Sequence, residues 1–265
     1  MDITDLLGIL SGLALFLQGM HMMSDGLNRV AGQKMKDILN HLTDHKLKAI
    51  FTGTIVTSII QSSSALSLML IAFMNASLLP LKNAIWTLMG ADIGTTITGQ
   101  MIAFRVGMIA PIFAIIGVSM IVFMKSDLFN YIGEVMAGFG ILFIGLEIMS
   151  TAMKPLQNEI YFIEFIKKLS NPVLAIVFGM IFTALIQSSS ASIGILQMMS
   201  MNGLIEFKVA AFVVLGQNIG TCITSLLGSL SSCRNAKRLT AFHILFNSIG
   251  AFVFTFICLY TPLLH

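Results

Sequence analysis

The chain has 265 residues, 56% of them hydrophobic and only 10% charged, with a net charge of +3 and a mean hydropathy of +0.92. Ordinary soluble domains carry about 25% charged residues, and a fold of this size needs polar groups to coat its surface. A soluble enzyme, a nucleic-acid binder and a disordered chain are disfavoured, an outer-membrane barrel lacks its polar–apolar alternation, and an all-α polytopic membrane protein remains.

The N-terminus, Met1 to Asp5, is acidic and has no basic region, so it does not read as a signal peptide. A first span is predicted over residues 6–24. Residues 25–46 follow as an amphipathic stretch. Leu27, Val30, Ala31, Met35, Ile38, Leu39 and Leu42 fall there at helical spacing, which suits a helix lying in the membrane interface. An uncharged run over 49–81 holds Gln61-Ser62-Ser63-Ser64 at its middle. A glycine-interrupted span over 84–104 carries Gly90, Asp92, Gly94, Thr95, Thr96 and Thr98, and a plain span covers 106–124.

The chain then repeats itself. Gln187-Ser188-Ser189-Ser190 stands 126 positions after the first such motif, and the block Gly216, Asn218, Gly220, Thr221, Thr224 stands 126 after Gly90 to Thr98. Gly12 and Gly19 return at the same offset as Gly138 and Gly145. Gly117 aligns with Gly250 at an offset of 133, the extra residues forming a basic turn with Arg234, Lys237 and Arg238. Two repeats are expected, 1–126 and 127–265. The second would hold spans at 131–152, 209–230 and 239–260, an amphipathic stretch at 153–169 and an uncharged run at 169–205.

The run from Ala49 to Leu81 is 33 residues long. One straight span needs about 20 residues, and two spans with a turn need more than are present. About 14 apolar residues flank the motif on each side, roughly 21 Å of helix. That predicts a re-entrant helical hairpin with its tip inside the membrane, where irregular backbone is tolerated only in protein or beside a polar cavity. Each repeat then has three membrane-spanning helices, one of them broken at its glycines, plus the hairpin. An odd count inverts the second repeat. With both termini outside, ten Lys and Arg residues fall on the cytoplasmic side and five, Arg105 among them, outside. The positive-inside rule favours that orientation, in the cell (inner) membrane. Inverted repeats with broken helices are a common transporter architecture.

Buried hydroxyls and amides need partners. At a hairpin tip the second half-helix presents free N–H groups and its positive dipole end, which suits an oxyanion. Carbonyls freed by the break, with Ser, Thr and Gln oxygens, suit a hard cation. The same residues could instead serve as glue between helices. Asp92 is the only charge between Lys82 and Arg105. It is a candidate for a cation or a proton, or a structural carboxylate, and its counterpart Asn218 is neutral. No Lys or Arg lies in the motif regions, no nucleotide-binding loop occurs, and no nucleophile–base pair stands out, so no enzyme is expected. The five histidines lack metal-ligand spacing, although His41 and His45 are four apart. The three cysteines form no framework.

Two Gln-Ser-Ser-Ser motifs, each followed about 30 residues on by Gly-Ala/Gln-Asp/Asn-Ile-Gly-Thr, resemble the sodium–phosphate cotransporter family, which includes animal type II transporters and bacterial homologues. The resemblance covers nearly the whole chain. It implies sodium-coupled symport of inorganic phosphate by alternating access. Carried onto this sequence, phosphate falls to Gln61, Ser62, Ser63, Ser64, Gln187, Ser188, Ser189 and Ser190. Sodium falls to Thr57, Ser64, Asp92, Thr95, Thr96, Thr183, Ser190, Asn218 and Thr221. Sodium is then a transported ligand, and no cofactor is expected. Asp92 stands where Asn is common in the motif, and Cys222 replaces a Thr. Many bacterial members carry a cytoplasmic domain resembling the phosphate regulator PhoU. Its absence here suggests a minimal transport core, with a separate PhoU-like regulator and a homodimer as candidate partners. The alternatives are a proton-coupled or export-directed phosphate carrier, and a non-transporting phosphate-sensing membrane subunit.

Overall fold

A computed structural model describes residues 3–40, 45–103 and 109–261, with the side chains of 31–40 left aside. Arg105 and His41 lie outside the described residues. Every regular element among those described is helical: α1 (Ile3–Asn40), α2 (Lys46–Ile60), α3 (Ser63–Asn75), α4 (Leu81–Ala103), α5 (Ala110–Phe123), α6 (Asp127–Met153), α7 (Ile160–Lys168), α8 (Pro172–Ile186), α9 (Ser189–Met201), α10 (Phe207–Ser229) and α11 (Arg234–Tyr260), with a short 3-10 turn at Lys154–Asn158. Four helices are long and apolar enough to cross a membrane: α1, α6, α10 and α11. A fifth span is reached if α7 and α8, bent by 110° at their junction, count as one. The protein is a multi-pass membrane protein.

The motifs break the helices where the backbone chemistry requires it. α2 ends because Gln61 turns into the left-handed region, φ 57° and ψ 23°, and its N–H donates to the Thr57 carbonyl at 2.7 Å. Ser62 is extended and caps α3, its Oγ accepting from the Ala65 N–H at 3.2 Å. The second copy does the same. Gln187 sits at φ 56° and ψ 22°, and Ser188 Oγ accepts from the Ala191 N–H at 3.3 Å.

Each broken pair is a hairpin, and the packing against the next long helix demonstrates it. Gly90 packs on Ile50 and Gly94 on Thr54, so α2 and α4 run parallel with their backbones in contact. Lys46, at the start of α2, lies with Nζ 5.3 Å from the Trp86 ring near the start of α4. The chain must therefore return between the end of α2 and the start of α4. α3, about 20 Å long at 1.5 Å per residue, makes that return. Gly216 on Ile176 and Gly220 on Met180 place α8 and α10 in the same parallel register, 126 positions on, with α9 as the return arm. The return arms cross over: α3 packs on α10 as well as α4, and α9 on α4 as well as α10.

α1 and α6 pack antiparallel along much of their length. A Cβ on Gly12 would sit 2.7 Å from the Gly145 carbonyl oxygen, and one on Gly145 would sit 2.6 Å from that of Gly12. Gly19 and Gly138 oppose each other in the same way. Residues equivalent by the 126 offset thus swap roles across one helix pair. Arg29 of α1 reaches Glu134 of α6 at 3.0 Å at one end of it.

Two sequence expectations are corrected. The 84–104 and 209–230 spans are not broken: α4 and α10 run without interruption, because their glycines serve close backbone approach to α2 and α8 rather than unwinding. The amphipathic stretch after the first span is not a separate interface helix but a continuation of α1 to Asn40, and only in the second half is it cut off, as α7. Gly117 and Gly250 do not play equivalent parts. A Cβ on Gly117 would meet the Gly133 carbonyl and Ala137 on α6, whereas Gly250 faces open space. α5 packs on α6, and α11 on α10.

Candidate functional site

The crossed return arms bring the two tips together. Ser63 and Ser189, the first residues of α3 and α9, line one cavity of about 130 Å³ with Asp92, Thr95, Thr96, Asn218, Thr221 and Asn247. Gln61, Ser62, Gln187 and Ser188 line a second cavity of about 550 Å³ walled by α1, including Gln18, His21 and Ser24. Ser62 faces one chamber and Ser63 the other, and so do Ser188 and Ser189. The two tips therefore form a partition between the chambers. The smaller one is well under the roughly 300–1,000 Å³ of pockets for drug-sized ligands, so its occupant is small.

The chemistry of the small chamber is that of hydroxyls, amides and helix ends. The first turns of α3 and α9 have N–H groups without intrahelical acceptors, and both start at this chamber. No Lys or Arg is among its lining residues. Of the residues singled out from the sequence, Ser64, Ser190, Thr57 and Thr183 are not on the lining of either chamber. Thr57 and Thr183 are buried behind the tips. Thr183 Oγ1 shares a hydrogen bond with Ser192 Oγ at 2.8 Å, while Thr57 Oγ1 has no partner among the described residues. The difference follows from sequence: the counterpart of Ser192 in the first repeat is Leu66.

The two tips are held unequally. Thr98 donates to Gln61 Oε1 at 2.7 Å, Ser24 donates to the Ile60 carbonyl at 2.6 Å, and the Gln61 amide bonds the Ser58 carbonyl. Gln61 is buried. Around Gln187 the equivalent residues turn elsewhere. Thr224 bonds the Thr221 carbonyl and Ser150 bonds Asn202, and Gln187 is exposed.

Asp92 has partners that sequence reading missed. His243 Nε2 lies 3.2 Å from Oδ1, and Asn247 Nδ2 lies 3.3 Å from Oδ2. Both come from α11, one turn apart, and His243 is only 2% exposed. Asp92, expected from sequence as a cation ligand, a proton site or a structural carboxylate, has both carboxylate oxygens met by side chains of α11 and stays on the lining of the small chamber. A His and an Asn four residues apart in the uncharged part of α11, after its basic first turns, were the available signal. Among the described residues no group of three His, Cys, Asp or Glu could hold a metal ion.

Known proteins are similar to this chain over most of its length. The family model described as Na+/Pi-cotransporter matches residues 15–151 and 159–260. YqeW of Bacillus subtilis is 34% identical over 89% of this chain and 76% of its own length. The protein of Salmonella typhimurium named "Putative inorganic phosphate export protein YjbB" is 29% identical over 94% of this chain, which spans only 46% of it. Sodium-dependent phosphate transport protein 2A of the rat is 33% identical over 44% of this chain and 20% of its own length. No solved structure matches. The family match covers both hairpins, both long packed helices and every residue that lines the small chamber, so this chain belongs to the Na+/Pi-cotransporter family.

Proposed function

We propose that the chain carries inorganic phosphate across the cell membrane in symport with sodium, by alternating access around the paired Gln-Ser-Ser-Ser tips. The observation that carries this reading is the convergence of Ser63 and Ser189 on one chamber of about 130 Å³. Two helix N-termini and several hydroxyls there can donate to the oxygens of one small oxyanion. Thr95, Thr96, Asn218 and Thr221 supply oxygens for sodium in the same chamber, and its charge offsets that of phosphate where no Lys or Arg does. The residues of 1–126 and 127–265 act as two inverted repeats. The antiparallel α1–α6 pair, with its reciprocal glycine contacts, supports that reading, because equivalent helices run antiparallel only when one repeat is inverted. Both termini then lie outside, with the basic Arg234 turn in the cytoplasm. The unequal tips fit a carrier caught with one tip closed and the other released.

The test is radiolabelled phosphate flux into proteoliposomes holding the purified chain. Uptake should collapse when sodium is replaced by choline, and uptake indifferent to the replacement rejects sodium coupling. The name of the Salmonella relative favours a second reading, in which the net direction is export. Flux driven from inside to outside in cells that accumulate phosphate separates the two.

A further inference from the structure

The amphipathic helix α7 roofs a cavity at one end of the bundle. It bends by 110° into α8, which packs parallel to the membrane-crossing α10. α7 is therefore close to perpendicular to that direction and lies near the plane of the membrane surface. None of its residues is buried, and Ile160 and Tyr161 are 69% and 86% exposed. Exposed apolar side chains, with Lys167 and Lys168 in the last turn, suit the boundary between headgroups and acyl chains. The cavity, of about 450 Å³, is bounded by α7, the 3-10 turn after α6 and the loop from α9 to α10. That is the volume of a small-molecule site. Phe162 packs on the apolar cluster around α1 and α6, and Ile166 on the one around α8 and α10. Both line the cavity, which thus follows the seam between two cores.

The walls are apolar, from Leu156, Phe162, Ile163, Ile166 and Leu204, and the lining carries one charge of each sign, Lys167 and Glu206. Both charged residues are exposed at the mouth. Glu206 stands at the N-cap of α10, yet its side chain makes no cap bond. Among the described residues neither Lys167 nor Glu206 is in an ion pair. Gln157, also on the lining, donates its amide N–H to the Asn202 carbonyl at 2.6 Å, which leaves Oε1 to accept. Apolar walls, one cation, one carboxylate and an amide oxygen match an amphiphile with a zwitterionic head. We propose that this cavity seats one phospholipid of the phosphatidylethanolamine type. Its acyl chain runs under α7, its phosphate meets Lys167, and its ammonium meets Glu206 and Gln157. A primary ammonium has three N–H donors for those oxygens, and a choline headgroup has none. An anionic glycerol headgroup offers Glu206 a like charge and no cation. Burial of the chain supplies most of the affinity, and the partly exposed charges supply the selection. The site stands apart from both tip chambers and does not depend on the phosphate-transport reading.

The test uses the full chain, purified and delipidated in detergent. Dioleoyl lipids with ethanolamine, choline or glycerol headgroups are titrated in turn, and bound lipid is counted by native mass spectrometry. One ethanolamine lipid should saturate a site about fivefold more tightly than either of the others, the size of one partly exposed ion pair. Equal affinity for the three headgroups means bulk lipid contact only and overturns the site. A preference for the choline or the glycerol lipid overturns it too. In Glu206→Gln the advantage of ethanolamine over glycerol should vanish, and in Lys167→Gln all three lipids should bind more weakly. Both changes lie at exposed positions, and size-exclusion profiles check that the fold is kept. Selection unchanged in Glu206→Gln rejects the assigned headgroup contact. Thermal melting gives a second reading: the ethanolamine lipid should raise the midpoint of wild type and not that of the double variant. Excess inorganic phosphate, at matched ionic strength, should leave the lipid bound. Its displacement would assign the mouth to free phosphate and overturn the lipid site.

Discussion

Thr98 donates its hydroxyl proton to the side-chain carbonyl of Gln61 at 2.7 Å and so pins the first hairpin tip to α4, while its counterpart Thr224 leaves Gln187 unheld. Ser24 adds a second tie through the Ile60 carbonyl. Each neutral hydrogen bond contributes about 1 kcal/mol net, so Thr98→Ala with Ser24→Ala should shift the balance between held and released tip by roughly thirtyfold. A thiol placed at Ser62, in a background free of native cysteines, should react faster with a membrane-impermeant reagent in the double variant. Unchanged reactivity would show that these bonds do not hold the tip.

Ser63 and Ser189 offer matching hydroxyls to the chamber. Ser63→Ala and Ser189→Ala should each weaken apparent phosphate affinity by about tenfold, the loss of one hydrogen bond to a charged ligand. The protein should stay folded, because neither change alters helix packing. Size-exclusion profiles in detergent and phosphate uptake titrations check both halves. Wild-type affinity in both variants removes these serines from the site.

The backbone contact of α2 with α4 leaves no room for a side chain. A Cβ on Gly53 or Gly90 would collide with the carbonyl oxygens of Thr87 or Ile50. Gly53→Ala and Gly90→Ala should therefore each cost about 1–3 kcal/mol or more through overpacking. Gly250→Ala meets nothing within 4 Å and should be neutral. Thermal unfolding in detergent distinguishes them, and equal melting of all three would contradict the helix packing.

Orientation can be read from a native thiol. Cys233 is exposed before the basic turn of α11, whereas Cys222 and Cys258 are buried. An impermeant maleimide should label Cys233 in inside-out vesicles and not in intact cells. The reverse pattern inverts the proposed topology.

The repeat carried much of this protein into view. Once Gln61 and Gln187 stood 126 apart in uncharged runs too long for one span and too short for two, hairpins followed from helix length alone. The glycines at 90, 94, 216 and 220 were legible as special but not as to their use. Close approach and unwinding demand the same residue, and only the presence of Ile50, Thr54, Ile176 and Met180 against them decides between the two.

Local sequence determined whatever depends on spacing along one helix: the apolar spans, the two breaks at Gln61 and Gln187, the capping serines and the convergence of polar residues on the motif blocks. Tertiary structure alone decided what depends on separate helices meeting. Asp92 and His243 are 151 positions apart, and Ser67 and Ser225 are 158 apart. No periodicity links such pairs, because the first arises where α11 packs against α4 and the second where the return arm α3 crosses to α10. The unequal tips were equally hidden, since Thr98 and Thr224 are the same residue in the same motif and differ only in where the fold turns their hydroxyls.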